Sequence, residues 1–389
     1  MQDCHQLSKP TSMSPIAPEL GVCPRRRDFM PIDISSLDES LRTTATDLAE
    51  KIDFQQVIDK GQNGYVLIGQ NKIIDRKVVV KFYYWGDGEH AEPKLLSQLS
   101  HPRILPVHDA AAIDKNWAYF ITPCCEQGDL DAVIQNAGVG IRRAIDMILD
   151  VASGVAFMHG KGFLHRDLKP ANIFLDNESR LLIGDFGSVA EKNSNGYVQT
   201  LSRHSLIYRT PEEVQLRQAY DQSDIYQLGI IFYQLLGGYL PYEKEAWLTP
   251  QELAIYKAKA YPSDDLFANG IIEERIKKGK IVDLRSLPPW CPPGLVSLIR
   301  KCCSVAHSDR LESVSAFIAR LNNLRSAVPD WRLEPEPALY RDHAKFRVVE
   351  NGLGQYRIEK MAKRGKSWRI VHSASPSSLK QAIGQAEAL

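Results

Sequence analysis

Asp167, Lys169, Asn172 and Asp185 stand close together in the chain. They fall in His165-Arg166-Asp167-Leu168-Lys169-Pro170-Ala171-Asn172 and, thirteen positions later, Asp185-Phe186-Gly187. The set offers a carboxylate that can orient a hydroxyl and take its proton. It offers carboxylate and amide oxygens of the hard kind that hold magnesium, and a fixed cation where negative charge develops. Transfer of a phosphoryl group to a hydroxyl needs all three at once. Upstream, Lys81 ends the apolar run Val78-Val79-Val80. A lysine there is costly without a partner, so one is expected.

The surrounding pattern predicts the elements that must position these groups. From Phe54 to about Tyr84, β-branched and aromatic runs are broken by Gly61, Gly64 and Gly69, and Val78-Val79-Val80-Lys81-Phe82 reads as the clearest strand. Helical spacing appears near Glu92–Leu99, dominates Ile141–Met158, and returns at Asp224–Leu236, Leu295–Cys303 and Ala316–Leu324. A strand-rich front and a helix-rich back predict an α+β body of two unequal lobes over 54–325. Before it, 36–53 is expected to hold a short helix. Ser36-Leu37-Asp38-Glu39 has the capping-box pattern, and Leu37, Leu41, Ala45 and Leu48 follow at helical spacing. Residues 1–35, rich in Pro, Ser and Thr, read as a disordered arm in which Arg25-Arg26-Arg27 is a solvated charge. Pro335 and Pro337 mark 326–340 as a linker. Beyond it, 341–389 predicts a small α+β domain. Its three short strands are expected at Phe346–Val349, Gln355–Ile358 and Trp368–Val371, with turns at Asn351-Gly352 and Arg364-Gly365 and a helix from Ser377.

In order as well as content, Phe54 to Arg325 resembles the eukaryotic-type (Hanks) serine/threonine protein kinases. Seven identities in the eight positions 165–172 would arise by chance about once in a billion windows. The resemblance implies a bilobal protein-kinase fold, with a small β-rich N-lobe over 54–122 and a larger helical C-lobe over 126–325. It also implies ATP as phosphoryl donor with Mg2+, or Mn2+ in its place, and protein hydroxyls as acceptors. Asp167 is then the catalytic carboxylate, Lys169 the γ-phosphate contact, and Asn172 and Asp185 the metal ligands. Lys81 contacts the α- and β-phosphates and pairs with Glu92, chosen by its spacing to His101-Pro102 with Glu89 as second choice. Pro93 beside it predicts a helix that begins late, near Ala91, or is kinked. Ile58, Gly61, Gly64 and Val66 belong to the glycine-rich loop, where Asp59 stands in place of the family's first glycine. Val79, Phe174, the gatekeeper Thr122 and the hinge residues Pro123 and Cys125 line the nucleotide site, and Asp129 reaches the ribose. Ser205 lies beside the base. Glu212 of Thr210-Pro211-Glu212 pairs with Arg310, and Asp224 braces the catalytic loop. Arg166 marks enzymes switched by phosphate on the activation segment, for which Thr200 and then Ser202 have the family-like spacing. Ser223 to Gly229 and His101 to Asp109 are closest in flavour to soluble bacterial members.

Length and charge bound the remainder. At 389 residues two or three folding units are expected. The net charge of +1 gives no global argument for nucleic acid or membrane, but 341–389 holds ten Lys/Arg against four Asp/Glu. Tyr356 and Trp368 among its cations raise nucleic acid or an acidic partner as one reading, with a packing or dimerisation module as the other. No apolar run approaches the roughly 18 residues of a membrane span. Seven cysteines without a CxxC pair read as reduced thiols of a cytoplasmic protein. Two other classes share part of the pattern. A nucleotide-binding scaffold without turnover would keep the fold. A small-molecule kinase would keep His-x-Asp and a later Asp but lack the Pro-Glu segment.

Overall fold

The computed structural model describes residues 37–61, 64–85, 98–137, 139–200, 205–333, 337–350, 355–371, 376 and 378–389. Glu89, Glu92 and Pro93 with most of their expected helix, Ser202, the arm over 1–35 and the Asn351-Gly352 turn lie outside the described residues.

Helix α1 (Glu39–Ala49) precedes five strands: β1 (Ile52–Gly61), β2 (Gly64–Asn71), β3 (Arg76–Tyr84), β4 (Asp109–Ala112) and β5 (Trp117–Pro123). They form one antiparallel sheet in the order β1-β2-β3-β5-β4. The period of two along β3 does the sorting. Val78, Val80 and Phe82 pack with Leu37, Leu41 and Ala45 of the α1 segment, which leaves Lys81 on the opposite face. α1 begins later than the Ser36 capping box predicts. Asp38 holds the cap position and makes no side-chain cap bond, Leu37 before it is buried, and Ser36 lies outside the described residues.

The second lobe holds α2 (Leu130–Ala137), α3 (Ile141–Gly160), α4 (Pro211–Leu216), α5 (Asp221–Leu235), α6 (Pro250–Lys257), α7 (Ser263–Lys277), α8 (Pro293–Cys302) and α9 (Val314–Arg325). α5 is buried along its length from Ser223 to Leu235, so it is the core helix. At Gly229 a Cβ would fall 2.7 Å from the Cβ of Cys302, so this glycine lets α5 and α8 approach. Three short antiparallel ribbons run over these helices: β6 (Phe163–Leu164) with β9 (Ala190–Glu191), β7 (Ile173–Leu175) with β8 (Leu181–Ile183), and β10 (Val198–Gln199) with β11 (Gln218–Ala219).

The C-terminal unit is a sheet in the order β12-β13-β14-β15-β16, made of Asp330–Arg332, Ala338–Tyr340, Ala344–Glu350, Tyr356–Ala362 and Arg369–Ile370, followed by α10 (Leu379–Ala388). Two of its five strands, β12 and β13, lie inside the stretch read as a linker. At three residues each they carry too little alternation to be read from sequence. Trp331 of β12 stacks on Trp290 at 5.5 Å and donates its Nε1–H to Glu387 at 2.8 Å. With Leu339, Phe346, Ile358 and Ile383 it joins the hydrophobic core of the second lobe. Two of the cations of this unit share one acidic partner. Arg347 and Arg357 both bind Glu359, at 2.8 and 2.9 Å, and Arg347 lies over the Trp368 ring.

Candidate active site

The loop after β6 is held from below by α5. The Asp224 carboxylate accepts the backbone N–H groups of His165 at 3.0 Å and Arg166 at 2.9 Å, and His159 Nε2 contacts it at 2.7 Å. Nearly one turn further along, Gln227 accepts the N–H of Leu168 at 2.8 Å and donates to the carbonyl of Arg166 at 2.8 Å. The peptides on both sides of Asp167 are therefore fixed to one helix. Arg166 sits at φ 68° and Asp185 at φ 55°. Such conformations in non-glycine residues cost about 1–3 kcal/mol each and persist where the surroundings over-determine them. Asp224 was expected to brace this loop. His159 and Gln227 were missed, and the signal that could have found Gln227 is an amide three residues after Asp224, on the same face of one helix.

The residues expected to react converge on that support. Asn172 Nδ2 donates to the Asp167 carbonyl at 2.7 Å and to its Oδ2 at 3.0 Å. Lys169 Nζ lies 3.6 Å from Asp167 Oδ2 and donates to Ser205 Oγ at 2.6 Å. Lys81, delivered by β3, forms an ion pair with the Asp185 carboxylate. Burial alone would raise the Asp185 pKa, but the Lys81 charge and hydrogen bond, helped by Lys169 and His165, hold it at about 2. His165 Nε2 lies 3.0 Å from the Gly184 carbonyl, just before Asp185. Among the described residues nothing hydrogen-bonds to Asp167 Oδ1 or Asn172 Oδ1, although both atoms are buried. Buried oxygens without partners are costly unless something meets them. A hard divalent cation bound by one or two carboxylates and completed by phosphate oxygens and water fits this donor set. The described residues hold no cluster of three His, Cys, Asp or Glu that would make a closed protein cage.

The residues expected around a nucleotide lie on the neighbouring strands. Ile58 pairs with Val66 and Gly61 with Gly64 in the β1–β2 ladder. Val66 pairs with Lys81, and Val79 with Thr122. Gly64 has φ 132°, and a Cβ there would lie 1.9 Å from the Phe82 carbonyl oxygen, so only glycine fits. Thr122 and Cys125 are buried at the end of β5, and Pro123 closes that strand. The thiol of Cys125 is pushed up to about 12, first by burial and then by Asp176, so it is neutral. Phe174 is buried beside Phe186 and Leu105. Asp129, expected at a ribose, is buried with its Oδ1 accepting the Ala132 N–H at 2.9 Å, so that atom caps α2.

The segment after Gly187 carries the remaining expectations. Glu212 and Arg310 form a bidentate pair at 2.8 and 2.7 Å. Ser223 donates to the same carboxylate at 2.6 Å, and the guanidinium lies 4.8 Å over the Tyr226 ring. Thr210 and Glu213 complete a capping box at the start of α4. Arg166, expected to await a phosphate, is fully buried and donates from Nε to the Ser188 carbonyl at 2.6 Å. The buried Glu213 carboxylate lies within reach of its charge. Thr200 is also buried, and its N–H binds the Arg217 carbonyl at 2.9 Å just beyond the β10–β11 ribbon.

Comparison with known proteins gives a consistent result. The family profile described as protein kinase domain matches residues 52–319. The chain is 26% identical over 335 residues to the serine/threonine-protein kinase PknD of Protochlamydia amoebophila, covering 75% of this chain and 32% of the relative. It is 30% identical over 201 residues to the serine/threonine-protein kinase PrkC of Bacillus subtilis, covering 49% of this chain and 31% of the relative. A probable serine/threonine-protein kinase PknB of Lactococcus lactis is 31% identical over 153 residues, covering 39% of this chain and 24% of the relative. The chain thus spans about a third or less of the length of these relatives.

Proposed function

The chain belongs to the protein kinase family, and on that premise we propose that it transfers the γ-phosphoryl group of ATP to serine or threonine hydroxyls of proteins. The observation that carries this reading is the meeting of Lys81, Asp167, Lys169, Asn172 and Asp185 around two buried oxygens that nothing in the described chain satisfies. Asp167 orients the acceptor hydroxyl and takes its proton. Lys169, bonded to Ser205 Oγ, supplies positive charge between the base and the acceptor side. Asp185, kept anionic, and Asn172 are the residues that would hold magnesium, which when bound neutralises phosphate charge. Lys81 stands at the same carboxylate and is the cation for the other phosphates. His-Arg-Asp-Leu-Lys-Pro and the Ser205 contact support serine/threonine over tyrosine acceptors.

Autophosphorylation of Thr200 or Ser202 is the regulatory step of this reading. For Thr200 it requires the chain beside the β10–β11 ribbon to open, because the residue is buried. The described cysteines are free thiols, in keeping with a reducing cytoplasmic setting. No described helix is long and apolar enough to cross a membrane. The C-terminal unit takes a packing role, since Arg347 and Arg357 are engaged by Glu359 and Trp331 and Phe346 join the core.

The test is incubation with Mg-ATP and a generic protein acceptor, beside the Asp167→Asn variant, followed by phosphosite mapping. Phosphoserine or phosphothreonine in the wild type and none in the variant is the expected result. Bound nucleotide without any transfer, or equal transfer by both proteins, would sink the reading.

A further inference from the structure

Gln227 is fully buried near the middle of α5, with apolar Tyr226 and Leu228 on either side of it in the chain. A buried carboxamide is tolerated only when its donors and acceptor are met. Three bonds meet them. Oε1 accepts the Leu168 N–H at 2.8 Å, and Nε2 donates to the carbonyls of Arg166 at 2.8 Å and Tyr208 at 3.3 Å. Two of these bonds grip the peptides on either side of Asp167. The third reaches the segment that begins at Ser205, whose hydroxyl accepts from Lys169 at 2.6 Å. Asp224 binds groups upstream of Asp167: the N–H groups of His165 and Arg166 and the His159 ring. The left-handed backbone at Arg166 makes the loop dependent on such bracing.

We propose that Gln227 is a positioning residue that sets the direction of the Asp167 carboxylate and ties it to the acceptor-side segment 205–208. The proposal rests on the phosphotransfer reading above and adds to it how the base is aligned. The bonds are directional. In Gln227→Glu one oxygen still accepts from Leu168, but the other places a lone pair against the Arg166 and Tyr208 carbonyls. Gln227→Met keeps the volume and removes all three bonds.

The test compares both variants with wild type in the full-length chain, measuring kcat, nucleotide Kd and amide hydrogen exchange. Misplacing a reacting group by about 1 Å costs on the order of a hundredfold in rate. In folded Gln227→Met, kcat should therefore fall about 10–100-fold, nucleotide Kd should stay within about twofold, and exchange should accelerate at residues 165–168. Gln227→Glu should lose rate in the same direction. A kcat within about twofold of wild type, or unchanged exchange over 165–168, overturns the proposal. Loss of fold in both variants assigns Gln227 to the scaffold and overturns it too. If the wild type transfers no phosphate, the functional reading fails on its own account. The exchange comparison needs no turnover and still decides the role of Gln227.

Discussion

Asp185 and Glu213 are both largely shielded carboxyl groups, and their neighbours drive them in opposite directions. Burial pushes each pKa up. At Asp185 the Lys81 ammonium outweighs that cost and the group stays ionised, held at about 2. At Glu213 the hydrogen bonds from Thr210 and the charge of Arg166 offset it only in part, so the carboxyl is pushed up to about 7 from its ordinary 4.5. A carboxyl that keeps its proton longer in the folded chain stabilises the fold fully below the unfolded value. That contribution is lost as pH rises through 4.5 to 7, a fall of about 3 kcal/mol. Asp185 has the opposite sign, and its contribution fades only in acid below its ordinary 3.8. Thermal unfolding followed from pH 5 to pH 8 should therefore show a declining midpoint in the wild type and a flatter profile in Glu213→Gln. Parallel profiles would show that Glu213 does not titrate in that window. At the chemistry itself, Asp167→Asn should lower turnover about 10²–10⁴-fold with an unchanged circular dichroism spectrum, since the amide oxygen can still accept from Asn172. A variant retaining more than a tenth of wild-type turnover would remove Asp167 from the base role. These groups were legible because phosphoryl transfer tolerates few residue types at its centre. Gln227 was not, because it bonds to backbone, and a backbone partner leaves no mark on its own residue type. His159 was not, because its carboxylate partners Asp221 and Asp224 lie far along the chain.

Single elements deliver these groups by burying one face. β3 turns Val78, Val80 and Phe82 toward α1 and thereby points Lys81 the other way. α5 offers Asp224 and Gln227 three residues apart on one face, beneath the loop. α4 is held by charge instead. Glu212 and Arg310 are both almost wholly shielded from solvent. Removing one member leaves the other charged and buried, at a cost of roughly 3–5 kcal/mol. Arg310→Met should therefore lower the unfolding midpoint by many degrees, and adding Glu212→Gln should recover part of the loss. Chemical denaturation of the two variants measures both quantities. A midpoint for Arg310→Met matching wild type would show that the pair does not anchor α4. The long helices and β3 were legible because each repeats its apolar period several times. The ribbons β6–β9 and β10–β11, at two residues per strand, have no period to read, and their pairing follows from the loops around them.

At the scale of the whole molecule, the C-terminal sheet is built onto the second lobe. Its prolines and basic composition suggested a separate domain on a linker, because composition reports solvent-facing residues and says little about a buried seam. That seam has a specific fit. A Cβ at Gly140 would lie 2.6 Å from the Trp331 carbonyl oxygen, and Arg142 Nε donates to the Val328 carbonyl at 3.1 Å. Trp331 closes it, stacked on Trp290 and bonded to Glu387, so one side chain links the lobe, β12 and α10. Truncating a buried aromatic of this size costs about 3–5 kcal/mol. Here the cost falls on the lobe that carries Asp167, since the two cores are continuous. Calorimetry of the full-length chain should show the second lobe and the C-terminal unit melting together, and Trp331→Ala should move that shared transition downward. Deleting 330–389 should do the same or leave the chain insoluble, because it bares Trp290 and the start of α3. If Trp331→Ala instead separates a small early transition and leaves the main one in place, the unit is an appended domain, and the continuity of the core does not carry stability across the seam.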